Sequence, residues 1–508
     1  MGRATLVPWG HRPDAGHRSI LPEDIVSDVI ANLEPKLVWE YFSELSKIPR
    51  GSKHEAAAAK WVAEQGRKLG CEVIEDEVGN VVIRKKATPG RENRPGVVLQ
   101  AHVDMVCEKN ENTVHDFEKD PIRLRREGDH LYATGTTLGA DNGIGVAAAL
   151  AAMASKDLEH GPLEALITID EETGLTGANH FAGGVLQGKY FLNLDSEEEG
   201  YLTIGCAGGI DTIARYKAAW QAPAAGAKGY RVKVSGLKGG HSGIDINGGR
   251  GNAIRFLARV IYRLQQELSV AIASFKGGNK RNAIAREASA VLVLDPAKEG
   301  ALKALVARLE EEAKAALGSF DPNLAITVEG VDAPAQVMAD ADARRIVATL
   351  FTMVHGVVAM SPDIQGLVQT STNLGVVDTK NGVVELNMLH RSSIDSSKAA
   401  LVDRVTAHLG LAGWDVEHVG GYPGWKPEPD AELVKIVDGV QKDLFGKPMI
   451  ILAIHAGLEC GIIGKQYPGM QMVSIGPDMW DVHTPDEHLS IPSVANFWKL
   501  LGAVLAKI

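Results

Sequence analysis

The chain has 508 residues, 45% of them hydrophobic, with 53 Lys and Arg against 64 Asp and Glu for a net charge of −11. This balance is globular, not disordered or collagen-like, and the length allows about three domains of roughly 150 residues, or fewer large ones. An acidic chain without a basic stripe repels a phosphate backbone, and no apolar run approaches the roughly 20 residues that cross a bilayer, so neither nucleic acid nor membrane is an expected partner.

Residues 1–21, with Pro8, Pro13 and Asp14, lack both a regular period and an apolar signal core and read as an N-terminal extension. Cys71, Cys107, Cys206 and Cys460 form no CxxC, which suggests reduced thiols and a cytoplasmic protein. Next come an Ala-rich helix at 53–69 and short strands at 72–74 and 81–84. Continuous apolar runs of strand length follow at 97–101, 163–169, 190–194 and, far downstream, 471–475, with a helix at 143–154. Such runs alternating with helices predict strands buried on both faces of a mostly parallel sheet.

The middle of the chain reads differently. Strand 230–234, helix 250–268, strands 271–275 and 288–294, helix 297–317 and strand 324–328 give the ferredoxin-like order β-α-β-β-α-β. A second, less complete unit follows: helix 340–354, strands 369–377 and 383–390, helix 397–409 and strand 415–419. The Pro-rich stretch 422–429 reads as a linker. The expected fold is α/β, a mostly parallel-sheet domain interrupted by an α+β lid of two ferredoxin-like units. The expected division is 22–208 and 404–508 for the sheet domain and 209–403 for the lid.

Four of the buried-strand candidates lead into an acid or a histidine: His102 and Asp104; Asp170, Glu171 and Glu172; Asp195; and, after a loop, His483. Ligand sites of open parallel sheets lie outside the carboxyl ends of the strands, so these side chains can converge despite their distance in sequence. Asp141 opens the helix at 143–154, where a carboxylate is favoured. Carboxylates and imidazoles crowd together only if cations lie between them. Two histidines and three acids suffice for two divalent ions if one carboxylate bridges, with Zn, Mn or Co suited to this donor set. Such a pair activates water and polarises a carbonyl, and the Glu171–Glu172 doublet offers a spare carboxylate to accept the proton. Taken singly, Asp141 is more often a helix cap, His102 a strand-end histidine and Asp195 part of a solvated acidic turn. His455 and Glu459, four apart on an expected helix, form a rival metal pair.

Together, His102-x-Asp104, Gly139-Ala-Asp141-Asn142-Gly143, Asp170-Glu171-Glu172-Thr-Gly174, Asp195-Ser-Glu-Glu-Glu-Gly200, Gly239-Gly-His241-Ser-Gly243 and His483-Thr-Pro485 resemble the M20 metallopeptidases. They are nearest the aminoacyl-histidine (Xaa-His, or cytosol non-specific) dipeptidase branch, and the six motifs occur in that family's order. The resemblance runs from about Leu21 to the C-terminus. It implies one metal held by His102, Asp141 and Asp195 and another by Asp141, Glu172 and His483, with Zn2+ first and Co2+ or Mn2+ as alternatives. It makes Glu171 the general base, Asp104 the carboxylate that orients His102, and the Asp141–Asn142 peptide cis. In the lid it implies that His241 contacts the scissile carbonyl oxygen, Asn282 binds substrate, and Arg391 with the Gly457 N–H grips the C-terminal carboxylate. Relatives with a single-unit lid dimerise through it and borrow the lid histidine; a doubled lid supplies it in cis, so a monomer or a homodimer is compatible. The implied activity is metal-dependent hydrolysis of dipeptides, such as β-Ala-His or a broader set. The alternatives are an amidohydrolase for N-acyl amino acids and, from a different class, a catalytically silent binding protein of the same fold.

Overall fold

The computed structural model describes residues 29–508, so the extension expected at 1–21 lies outside the described residues. An eight-stranded sheet forms the base, in the spatial order Glu72–Glu75, Val81–Lys85, Leu163–Thr168, Val97–His102, Tyr190–Asn193, Gln471–Ser474, Tyr201–Cys206, Ile450–Ile454. The four central strands, from Leu163–Thr168 to Gln471–Ser474, run parallel. Successive side chains along them enter opposite layers. Val97, Leu99 and Ala101 join one apolar core while Val98 enters the other, and Ala165 and Leu166 divide the same way. This two-sided burial is why the strands read as unbroken apolar runs.

The helix Ala140–Ala154 is apolar nearly all round and buried along its length. Its small side chains let it lie between the Lys36–Ser46 helix and the Val97–His102 strand. The parallel arrangement places the ends at His102, Thr168, Asn193 and Ser474 on one rim.

The lid has its own core and its own sheet. One half follows the order Ala325–Val331, Lys228–Ser235, Ala288–Leu294, Ala271–Gly277, with helices Ala253–Glu267 and Glu299–Leu317. The other half runs Val368–Lys380, Val383–Ser392, Gly208–Lys217, Asp415–Tyr422, with helices Asp340–Thr352 and Asp395–Leu411. The halves join edge to edge where Lys276 and Gly277 pair with Asp378 and Val377. The second unit is therefore complete. Its first strand, Gly208–Lys217, is separated from the rest by the whole of the first unit. Helix Asp395–Leu411 crosses residue 403, and Asp415–Tyr422 pairs with Gly208–Lys217, so the lid sheet extends to Tyr422. No described helix is long and apolar enough to cross a membrane.

Candidate active site

At the rim of the parallel strands, two donor triads share one carboxylate: His102, Asp141 and Asp195, and Asp141, Glu172 and His483. Within each, the donor atoms lie within 4.8 Å of one another. His102 Nε2 is 3.1 Å from Asp141 Oδ1 and 3.3 Å from Asp195 Oδ1. On the other side, His483 Nε2 is 3.1 Å from Asp141 Oδ2 and 2.9 Å from Glu172 Oε1. Asp141 stands between the two imidazoles, one oxygen toward each.

Each side chain is held by a distinct local device. His102 is the last residue of its strand, and its Nδ1 lies 3.3 Å from Asp104 Oδ1. Asp104 also accepts from Ser52 Oγ (2.7 Å) and from the backbone N–H groups of Glu171 (3.0 Å) and Glu172 (3.3 Å). Asp141 is not in helical conformation although helix surrounds it, and the Asp141–Asn142 peptide is cis. Asn142 Nδ2 donates to Leu194 O at 2.8 Å, tying this turn to the residue before Asp195. His483 sits with φ +65° in the connection between the short strands Met479–Trp480 and His488–Ser490.

The electrostatics are those of a cluster made for positive charge. Burial pushes the Asp195 carboxyl up to about 6, helped by the charges of Asp141 and Glu172. Burial likewise lifts Glu171 well above its ordinary value, with Asp195, Glu459 and Glu172 adding to it. Hydrogen bonds to Asp141 and Glu172 raise His483 to about 11. For His102, burial opposes protonation, but Asp195, Asp104 and Asp141 override it and leave the ring well above 6.5. Protons are thus drawn onto the imidazoles where cations belong. Asp195 Oδ1 is buried and accepts no hydrogen bond. A lone pair left free in an acid-rich site, among oxygen and imidazole donors, fits a divalent ion.

A second group forms in the lid. His241 belongs to a two-residue strand, Gly240–His241, paired with Ala283–Ile284. Gly239 at φ +67° and Gly240 at φ +138° make the turn that presents it. Its Nδ1 accepts backbone N–H groups from Gly243 (3.3 Å) and Ile244 (3.1 Å), two donors that favour the tautomer with the proton on Nε2, whereas the Arg391 contact favours a lone pair there. Burial, and then the Arg391 charge, lower His241 to about 4 and keep it neutral near pH 7. Arg391 is 5% exposed, and its Nη1 donates to Tyr422 OH at 3.0 Å. Its Nε meets Ser242 Oγ at 3.4 Å, while Nη2 lies 3.3 Å from His241 Nε2. No carboxylate among the described residues is within ion-pair distance of this guanidinium; the nearby Asp211 pairs with Arg281 at 3.0 Å. Asn282 is exposed next to this group, its carbonyl accepting from Ser242 N at 2.9 Å. Gly457 lies against the Tyr422 ring, where a Cβ would come within 2.9 Å.

The eleven expected site residues therefore fall into two clusters. His102, Asp104, Asp141, Glu171, Glu172, Asp195 and His483 gather at the sheet rim, and His241, Asn282, Arg391 and Gly457 gather at the lid. No hydrogen bond or ion pair among the described residues joins one cluster to the other. The rival pair does not form. The helix begins only at Glu459, leaving His455 in the loop before it. His455 Nε2 meets Ser371 Oγ at 2.7 Å, whereas Glu459 Oε2 accepts from Gln100 (2.5 Å) and Thr168 (2.7 Å).

The profile of peptidase family M20/M25/M40 matches residues 98–507. The chain belongs to that family. It is 42% identical over 479 residues to the cytosol non-specific dipeptidase of Escherichia coli (strain K12), covering 94% of this chain and 99% of that protein. The crystal structure of aminoacylhistidine dipeptidase from Vibrio alginolyticus superposes with a TM-score of 0.89 at 44% identity, covering 94% of this chain and 98% of that one. Aminopeptidase PepT from Bacillus cereus, at 18% identity and TM-score 0.55, shares the fold, covering 94% and 99% of the two chains. Membership implies divalent metal ions.

Three residues with a structural part in this site escape the sequence reading, Arg50, Tyr422 and Glu487, and Glu459 enters it only as half of the rival pair. Arg50 and Glu487 are buried beside the Asp141 turn. Only the position of Glu487, four after His483, hints at a role, because sequence alone does not reveal that a charged residue is buried.

Proposed function

We propose that this chain is a two-metal dipeptidase. The observation that carries the proposal is the pair of donor triads sharing Asp141, set beside two dipeptidases that this chain matches over nearly their whole length. His102, Asp141 and Asp195 would hold one ion and Asp141, Glu172 and His483 the other, with Zn2+ first and Co2+ or Mn2+ as alternatives. Bound there, the ions would lower the pKa of a water and polarise the scissile carbonyl.

The chain's own groups do the rest. Glu171, its carboxyl raised by burial, takes the proton from water and returns it to the leaving amine. Asp104 holds the His102 ring by Nδ1 and leaves Nε2 for the metal. His241 offers its Nε2–H to the oxygen that becomes negative, provided the lid brings it to the rim. Arg391, with no acid partner among the described residues, takes the free carboxylate of the dipeptide, with Asn282 and the Gly457 N–H beside it.

A dipeptide with a free C-terminus is a substrate that fits both ends of such a site. The working division is residues 22–208 for the first part of the catalytic domain, a lid from 209, and a return to the catalytic domain after Tyr422. One chain supplies both lid units, so catalysis needs no partner subunit, in a monomer or a homodimer. A cytoplasmic location is proposed from the cytosolic relative.

The test is a panel of Xaa-His and other dipeptides against N-acetyl amino acids, using enzyme stripped of metal and reloaded. Metal-restored cleavage of dipeptides supports the proposal. Preferential deacylation would replace it with an amidohydrolase, and inactivity on every substrate when metal-loaded would remove it.

A further inference from the structure

Glu487 has an environment that its place in a surface hairpin does not explain. The residue is 2% exposed, and its carboxylate faces four consecutive backbone N–H groups. Oε2 accepts from Leu138 at 2.7 Å and Gly139 at 2.9 Å; Oε1 accepts from Ala140 at 2.7 Å, with Asp141 N at 3.4 Å. These are the groups that lead into the shared carboxylate. A charged acceptor meeting several backbone donors out of water makes strong, directional bonds.

Arg50 closes the arrangement from behind. This buried guanidinium donates to Gly139 O at 2.5 Å and to the carbonyls of Val103 (3.0 Å) and Asp104 (3.2 Å). Burial pulls its pKa down, and the charges of Glu487, Asp104 and Asp141 partly offset that. Space is reserved for it: a Cβ on Gly139 or Gly143 would come within 2.5 or 2.6 Å of Arg50 Nη2. Three segments distant in sequence are thereby joined: the strand exit carrying His102 and Asp104, the turn carrying Asp141, and the hairpin carrying His483. Glu487 N in turn donates to Thr484 O at 3.1 Å, fixing the four-residue step back to His483.

We propose that Glu487, braced by Arg50, is a positioning residue that sets the distance between Asp141 and His483 and so fixes the second metal site. It touches neither metal nor substrate. Its charge and reach hold the 138–141 turn and the His483 hairpin in one register. The inference rests on the reading of Asp141 and His483 as ligands.

The experiment titrates metal-free enzyme with Zn2+ against a chromophoric chelator, comparing wild type, Glu487→Gln, Glu487→Ala and His483→Ala. In Glu487→Gln the amide NH2 must face backbone donors, so isosteric shape does not rescue it. The expected result is one site bound as in wild type and the other weakened roughly 10–100-fold in both Glu487 variants. The half-saturating Zn2+ for activity shifts by the same factor, and KM for dipeptide is unchanged at saturating metal. A role in stability alone would lower the melting temperature and leave both affinities as they were; affinities within twofold of wild type in folded variants overturn the proposal. If His483→Ala also binds two ions normally, the ligand reading itself fails. If His483→Ala loses a site and Glu487→Gln does not, only the present inference fails. Should the Glu487 variants not fold, hydrogen exchange on metal-free wild type decides: protected amides at 138–141 support the clamp, and exchange at open-loop rates contradicts it.

Discussion

The carboxylate of Asp104 accepts the backbone N–H of Glu171, with Oδ1 and N 3.0 Å apart. The same oxygen lies 3.3 Å from His102 Nδ1, so one buried acid faces the imidazole proposed as a metal ligand and anchors the residue proposed as general base. Every group facing Asp104 is a donor, which an amide cannot satisfy at both ends. Asp104→Asn is expected to weaken metal binding by roughly 10–100-fold and to leave turnover depressed even with metal in excess. Chelator competition with kcat at saturating metal checks both effects. Wild-type affinity in folded Asp104→Asn would contradict the double role.

Glu171→Gln separates proton transfer from metal binding. Glu171 belongs to neither of the triads that share Asp141, although its carboxylate also groups with His102 and Glu172 within 4.8 Å, so the metal count decides between base and ligand. Both metals should remain, counted by elemental analysis, while kcat falls by roughly 100- to 10,000-fold. Near-normal turnover would remove Glu171 from the base role.

Arg391→Ala should raise KM or lower kcat/KM for free-carboxylate dipeptides, by about 10- to 100-fold for one lost charge-assisted contact. C-terminally amidated analogues, which offer no anion, should lose little. Equal losses on both substrate types would rule out carboxylate recognition. His241 stays neutral above its value of about 4, so the shape of the rate profile around neutral pH should persist in His241→Ala, and a changed shape there would show that His241 titrates in that range.

Glu459 gives a pH signature of stability. Burial raises its carboxyl from 4.5 to about 7. Below pH 4.5 it is protonated in both folded and unfolded chains and contributes no difference. Between 4.5 and about 7 the unfolded chain gives up its proton while the folded one keeps it, so stability falls with rising pH and then levels off. Metal-free enzyme shows this best, since bound cations favour the carboxylate. Glu459→Gln should flatten that slope and make the metal-free protein more stable at pH 8, by up to roughly 3 kcal/mol. Denaturant melts at pH 5 and 8 check it; an unchanged slope would show that Glu459 is not the group responsible.

The parallel strands were legible because two-sided burial leaves a continuous apolar run, as at Val97–Ala101. Their shared polarity then located the rim. The Gly208–Lys217 strand was not legible as the start of the second lid unit. Its partners, Val383–Ser392 and Asp415–Tyr422, lie more than 160 residues away in sequence, and local pattern carries no pairing information over that span. His455 and Glu459 had helical spacing, but the loop Ala456–Leu458 sends them to different neighbours. Arg50 and Glu487 were missed because charged residues read as solvated until their partners are known, and those partners are backbone groups with no signature of their own.

Anomalous diffraction from crystals of metal-loaded protein tests the central claim most directly. Two peaks are predicted, one within bonding reach of His102, Asp141 and Asp195 and the other within reach of Asp141, Glu172 and His483. A single peak, or peaks that leave Asp141 unshared, would contradict it.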